Sequence, residues 1–215
     1  MGESPPADIT HEHPRQIGGY EILSVAGKGA MGVVYKARQV SMDRIVALKI
    51  LPAKLARDET YVQRFLREAR SAGACNHPNL LRVMDVGQAD GLYFYSMEYA
   101  GGPTLKSVVD NHGPITEKQA VDYMTKIAGA LSEVHRNGIL HRDIKPDNLL
   151  LTERGEVRLA DLGLAKPMEG DASLTLGGTI IGTPHYMSPE QAGGVDLDGR
   201  ADLYALGATF YYLVT

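Results

Sequence analysis

The densest chemistry in the chain is the run His141-Arg142-Asp143-Ile144-Lys145-Pro146-Asp147-Asn148, followed by Asp161-Leu162-Gly163. Asn148 and Asp161 offer the hard oxygen ligands that Mg²⁺ takes, and carboxylates beside nucleotide phosphates are a common setting for that ion. Asp143 can orient a hydroxyl, and Lys145 can neutralise charge on a group in transfer. So many polar residues between an apolar helical pattern and Leu149-Leu150-Leu151 are poor material for simple packing. The bland alternative is an Asx-rich turn.

Two further groups point to phosphate. In Gly27-x-Gly29-x-x-Gly32-x-Val34 the glycines let backbone N–H groups approach a polyphosphate without side-chain obstruction. A dinucleotide-binding fold uses a similar spacing but needs the glycines to open a helix. Here Val33-Val34-Tyr35 continues as a strand pattern, so the glycines read as a hairpin tip closing over a ligand. In Val46-Ala47-Leu48-Lys49 the lysine is either a strand residue on a solvated face or a cation holding phosphate oxygens. Glu68 is a candidate carboxylate to steady it, although Arg64, Arg67 and Arg70 make a local surface pair the simpler reading of Glu68 taken alone.

These groups must be positioned by two kinds of architecture. Residues 20–22, 33–35, 45–50, 80–86 and 92–99 read as strands, rich in β-branched and aromatic residues and separated by glycines or polar turns. Between them Val62, Phe65, Leu66 and Ala69 recur at helical spacing, and the pattern stops near Asn76-His77-Pro78. After Gly101-Gly102-Pro103 the character changes. Thr116 with Gln119 makes a capping box for a long helix whose apolar face is Val121, Met124, Ile127, Ala128, Leu131 and Val134, ending at Asn137-Gly138. Residues 149–151 and 157–159 read as a short hairpin around Glu153-Arg154-Gly155-Glu156, and 172–183 as a long surface loop. Residues 1–17 show neither period and read as a flexible lead-in.

Composition bounds the rest. The 215 residues carry 22 Lys plus Arg against 26 Asp plus Glu, a formal net charge of −4, which gives no general reason to expect nucleic-acid binding. With 44% hydrophobic and 22% charged residues the chain is of globular rather than disordered type. One cysteine, Cys75, excludes an internal disulfide framework and favours a reducing compartment. No apolar run reaches the ~18 residues of a spanning helix, and the N-terminus lacks a signal-peptide apolar region.

Taken together, these motifs resemble the protein kinases, and more closely the bacterial (eukaryotic-like, Hanks-type) serine/threonine kinases. They occur in family order: the Gly27–Val34 loop, Lys49, Glu68, 141–148, 161–163, then Ser188-Pro189-Glu190, with Asp202 opening a further helix. The resemblance implies an α+β, two-lobed fold: an antiparallel five-stranded N-lobe with one regulatory helix over about 18–100, and a mainly helical C-lobe over about 101–215. It implies that Ala26-Gly27-Lys28-Gly29-Ala30-Met31-Gly32-Val33-Val34 covers the phosphates of ATP. Lys49, paired with Glu68, would bind the α and β phosphates, and Asn148 and Asp161 would hold Mg²⁺, with Mn²⁺ as a substitute. Asp143 would accept the hydroxyl proton. An aspartate, ordinarily of pKa near ~3.9, is a weak base for an alcohol, so its first task is alignment.

The resemblance also places Met97 at the gatekeeper position, with Glu98 to Ala100 supplying hinge backbone to adenine, and Val34, Ala47 and Leu150 against the ring. All three could equally be plain core residues, and the sequence alone favours that reading. Lys145 and Gly182-Thr183-Pro184 match the serine/threonine branch, with Thr183 near Asp143 and Lys145. Arg142 before Asp143 implies activation-loop phosphorylation, Thr175 being the first choice of site and Thr179 the second. Leu162 stands where phenylalanine is more frequent and Ser188 where alanine is, and neither change removes a catalytic group. Ala72 is small for its place, implying a looser helix that homodimerisation for trans-autophosphorylation would tighten.

The competing readings are a pseudokinase-like scaffold or binding module, and a small-molecule phosphotransferase of related fold. The presence of Lys49, Asp143 and Asp161 opposes the first. The peptide-platform segment 182–190 opposes the second. The expected partners are ATP and protein substrates with Ser/Thr acceptors, and the expected location is cytoplasmic, with a parent protein anchored in a membrane through a region outside these residues. Residues 202–215 form an apolar pattern that stops without a cap. By resemblance, later C-lobe helices and the arginine partner of Glu190 are missing, so the isolated chain is expected to be poorly soluble and weakly active.

Overall fold

The computed structural model describes residues 14–29, 32–162, 175–176, 179–180 and 184–215, with Glu68, Pro184 and the residues 175–176 and 179–180 described in backbone only. Its chain divides into two units: Met1–Val62 with Met84–Tyr99, and Gln63–Val83 with Ala100–Thr215.

In the first unit, β1 (Gln16–Ile17), β2 (Tyr20–Gly29), β3 (Gly32–Gln39), β4 (Arg44–Ile50), β5 (Val83–Ala89) and β6 (Leu92–Glu98) form one sheet in the order β1-β2-β3-β4-β6-β5. Six strands stand where five were expected. The extra one is the pair Gln16–Ile17, which turns back onto Tyr20 and Glu21. Two residues are too few to show a period, yet Ile17 is fully buried, so the lead-in is ordered from this point. One sheet face packs a core of Ile17, Tyr20, Ile22, Tyr35, Ala37, Val46, Leu48, Ile50 and Phe94. Inside it the Tyr20 hydroxyl donates to Asp85 Oδ2 at 2.8 Å and shares a hydrogen bond with Ser96 Oγ at 3.2 Å. Burial is the main cause that pushes the Tyr20 phenol up to about 12.

α1 (Glu59–Ala74) leads into the second unit. Residues 80–82, expected as strand, lie outside the sheet. Leu80 instead makes an isolated parallel bridge to Leu159, and Leu81 N–H donates to Leu159 O at 2.9 Å. The rest of the unit contains β7 (Gly101–Thr104), α2 (Leu105–His112), α3 (Glu117–Arg136), β8 (Leu149–Thr152), β9 (Val157–Leu159), β10 (Thr175–Leu176), β11 (Thr179–Ile180), α4 (Pro189–Gly193) and α5 (Gly199–Val214). Strands β7, β8 and β9 form an antiparallel sheet. Within the expected loop 172–183, β10 and β11 pair as a short antiparallel ladder.

α3 starts as the capping signal predicts, with Thr116 Oγ1 accepting from Gln119 N–H. Its buried stripe is Ala120, Met124, Ile127, Ala130, Leu131 and Val134. Val121, expected inside, is exposed, and Ala128 is only half-buried. Alanines at 120 and 130 take buried places on the face of a helix that packs on α5 and β9, so the stripe runs one position from the expected one. Gly138 ends the helix at φ +70°, its N–H donating to His135 O at 2.9 Å, which turns the chain toward His141.

Candidate active site

Register assigns the first unit's candidate residues to one sheet face. Val34 lies opposite Lys49 and Gly27, Ala47 opposite Met97, and Lys49 opposite Tyr95. Directly opposed residues share a face, and residues two apart along a strand do too. Gly27, Val34, Ala47, Lys49 and Met97 therefore look the same way, away from the core described above. Lys49 is 5% exposed, and its Nζ lies 6.0 Å from the centre of the Tyr95 ring. A lysine on a solvated face is thereby excluded.

β2 and β3 form the expected glycine hairpin, with Gly29 opposite Gly32 and Lys28 opposite Val33. Ala26 is the extra residue at a bulge between Val25 and Gly27, and it is exposed. A Cβ on Gly27 or Gly29 would meet open space, so backbone there is accessible to a ligand. Gly32 serves the fold instead: its φ is +118°, and a Cβ would fall 2.2 Å from Ile50 O. Ala30 and Met31, at the tip, lie outside the described residues, as does the side chain of Glu68. Glu98 closes β6 opposite Val46.

In the second unit, the loop between α3 and β8 holds the carboxylate at 143. Asn148 donates from Nδ2 to Asp143 O at 2.7 Å and to Asp143 Oδ2 at 3.0 Å, and Lys145 Nζ lies 3.2 Å from the same Oδ2. Lys145 is extended, as a residue before proline must be, and Pro146 opens a single helical turn that delivers Asn148. Leu149 opposes Leu159, and Ala160 N–H donates to Asn148 O at 2.9 Å. Asn148 therefore stands opposite Ala160 at the end of the β8–β9 ladder, and Asp161 follows directly after Ala160. With the Asn148 amide protons both given to Asp143, the remaining polar atom of that side chain is its oxygen. That oxygen and the Asp161 carboxylate are both donors of the hard-oxygen type that Mg²⁺ takes.

The backbone ahead of Asp143 is strained and tightly bound. Arg142 has φ +61° and Asp161 φ +54°, left-handed values that cost a non-glycine residue about 1–2 kcal/mol. Asp202, 1% exposed on α5, accepts from His141 N–H at 2.9 Å and from Arg142 N–H at 2.7 Å, while His135 Nε2 donates to it at 2.8 Å. His141 is fully buried. Asp143 N–H donates to its Nδ1 at 3.3 Å and its Nε2 donates to Ala160 O at 2.9 Å, an arrangement only the neutral ring satisfies. Burial pushes the His141 imidazolium below the ordinary histidine value, in agreement with that tautomer.

Comparison with known proteins decides the family. Residues 20–215 match the model of the protein kinase domain. The chain belongs to the protein kinase family. Serine/threonine-protein kinase pkn3 of Myxococcus xanthus is 43% identical over 204 residues, spanning 91% of this chain and 37% of the relative. Serine/threonine-protein kinase PrkC of Bacillus subtilis is 40% identical over 198 residues, spanning 92% of this chain and 30% of the relative. The chain thus spans about a third of the length of these curated relatives. Among solved structures, the PknI kinase domain of Mycobacterium tuberculosis superimposes with a TM-score of 0.74 at 34% identity, covering 92% of this chain and 72% of that one. The kinase fold expected from the motifs is thereby established, and its curated relatives are bacterial enzymes named for serine/threonine phosphorylation.

Each unit gathers its own candidate residues. Leu150 lies on β8 opposite Arg158, half-buried, and Ala100 is buried just after β6. Thr183 lies outside the described residues, and Thr175 and Thr179 open β10 and β11 in backbone only. Sequence reasoning missed three residues that hold the 141–148 loop or the Asp202 carboxylate bound to it: His135, His141 as a hydrogen-bonding hub, and Gln191. His135 carried a weak signal, being a histidine in the last turn of an amphipathic helix. Gln191 carried a stronger one, since Ser188-Pro189-Glu190-Gln191 has capping-box spacing.

Proposed function

We propose that the protein transfers the γ-phosphoryl group of Mg-ATP to serine and threonine hydroxyls of other proteins. The observation that carries this reading is the Asp143 carboxylate, fixed by Asn148 and Lys145 on a loop whose backbone is bound to Asp202. Phosphoryl transfer asks chiefly for positioning and for stabilisation of spread negative charge. Asp143 aligns the acceptor hydroxyl in line with the γ-phosphorus. As the new oxygen–phosphorus bond forms and the bond to the β–γ bridging oxygen breaks, Asp143 takes the hydroxyl proton. Lys145 offsets charge on the phosphoryl oxygens, and Lys49 binds phosphate oxygens further back. Asn148 and Asp161 would hold Mg²⁺, which when bound would offset negative charge on the phosphates.

The glycine hairpin covers the phosphates, and Val34, Ala47, Met97 and Leu150 contact adenine, with hinge backbone from Glu98 to Ala100. Activation proceeds by autophosphorylation of Thr175, with Thr179 second, between two copies of the protein. No helix among the described residues is long and apolar enough to cross a membrane. Anchoring of a longer parent protein is part of this proposal.

The test is incubation of the intact protein with Mg-ATP, a basic protein acceptor and, separately, small alcohols, followed by phosphoamino-acid analysis. Phosphoserine or phosphothreonine on the acceptor is the expected product. Phosphotyrosine, label on the small alcohols alone, or nucleotide binding without transfer would each replace the proposal with a different activity.

A further inference from the structure

Gln191 carries the spacing of a capping box but does not close one. Ser188 is fully buried and caps α4, its Oγ accepting from Gln191 N–H at 3.2 Å. In a reciprocal box the side chain at 191 would reach back to the cap residue's own N–H. Instead Gln191 Nε2 donates to Arg142 O at 3.0 Å, a contact between residues 49 apart in sequence. The acceptor is a carbonyl, so the amide orientation is set by chemistry.

We infer that Gln191 is a positioning residue for Asp143, acting through the Arg142–Asp143 peptide group. The inference rests on the proposed kinase reading. Two peptide groups flank the Cα of Arg142. Asp202 holds the first by its N–H at 2.7 Å. The second is held at both ends, its carbonyl by Gln191 and its N–H by His141 Nδ1. Fixing both planes fixes φ and ψ at Arg142, which occupies a left-handed conformation it would otherwise leave. The second peptide group also sets the direction in which the Asp143 side chain departs. Removing its carbonyl anchor leaves this peptide plane held only by the 3.3 Å bond to His141 Nδ1, which loosens ψ at Arg142 and the aim of the carboxylate. Gln191 follows directly on the segment 182–190 that the family resemblance makes the peptide platform. The contact therefore ties the end of that segment to the residue that aligns the acceptor.

The test compares Gln191→Met, of similar length without a donor, with Gln191→Lys, which restores an N–H donor. Both are made in the intact protein, with kcat counted per nucleotide-binding site so that partial unfolding does not register. A lost hydrogen bond of ordinary strength acting on alignment lowers kcat about tenfold. The expected result is that loss in Gln191→Met, with KM for ATP within about twofold and with kcat substantially recovered in Gln191→Lys. Wild-type kcat in Gln191→Met, or a Lys variant as slow as the Met variant, overturns the inference. Asp143→Asn runs alongside: if it too transfers phosphate at the wild-type rate, the kinase reading itself has failed rather than the role of Gln191.

Discussion

Replacing Asp202 by asparagine keeps its volume and tests the scaffold beneath the 141–148 loop. The carboxylate accepts three hydrogen bonds, from His141 N–H, Arg142 N–H and His135 Nε2, at 2.7–2.9 Å and at 1% exposure. An amide in its place offers one oxygen and one NH₂, so at least one buried backbone N–H faces another donor. A buried donor left unsatisfied costs about 1–3 kcal/mol, and a hydrogen bond to a charged acceptor contributes about 1.5–3 kcal/mol. Losing one backbone partner and weakening the histidine contact should therefore cost about 3–5 kcal/mol. The left-handed Arg142 loses its support as well. For a chain of this size that is a fall in melting temperature of about 6–20 °C. The assay is calorimetry or circular dichroism on the intact protein, paired with phosphate transfer under conditions where both forms remain folded. Asp202→Asn should be less stable and, where still folded, slower in kcat than in KM. A melting temperature within about 2 °C of wild type, with unchanged kcat, would refute the reasoning that the backbone of 141–142 depends on this carboxylate.

Other outcomes follow from the same physics. Gly32→Ala should lower stability by more than about 2 kcal/mol, because its φ is +118° and the new Cβ would press on Ile50 O; denaturant titration reads this, and a neutral result would mean the hairpin shifts freely. Tyr20→Phe removes the hydroxyl that Asp85 and Ser96 share and should cost about 1–3 kcal/mol by the same measurement. His141 is neutral in the fold because burial depresses its pKa, so the unfolded chain takes up the extra proton as pH falls below about 6.5. Stability from this residue is complete above that value and declines toward the depressed folded pKa, by up to about 1.4 kcal/mol per pH unit. Melting temperature between pH 7.5 and 5.5 should therefore fall more steeply in wild type than in His141→Asn, and equal slopes would contradict the assignment.

How much of this was legible in the sequence depends on the distance over which each feature is built. The glycine hairpin, the Lys49 strand, the loop at 141–148 and the cap at Thr116 are local, and each was readable from residue type and spacing. The stripe on α3 was readable to within one position, because Ala120 and Val121 both satisfy a helical period and only tertiary packing separates them. Residues 80–82 looked like the beginning of a strand, but Leu80 N–H turns back to His77 O and Leu81 N–H bonds to Leu159 O, far along the chain. β1 escaped notice because two residues have no periodicity. The contacts that hold Asp143 in place were the least visible. Asp202 lies about sixty residues after the peptide groups it binds, and polar contacts between such distant segments leave no periodic trace. Family resemblance marked Asp202 but gave no reason to look at His135 or Gln191.

The central claim is that Asp143 on this loop drives phosphoryl transfer, and a single-turnover experiment tests it most directly. The intact protein and its Asp143→Asn variant are each saturated with Mg-ATP and mixed with a basic protein acceptor, and nucleotide affinity is measured separately. The account predicts that transfer slows by about 10²–10⁴-fold while nucleotide affinity stays within about threefold. Equal transfer rates in the two forms would contradict it.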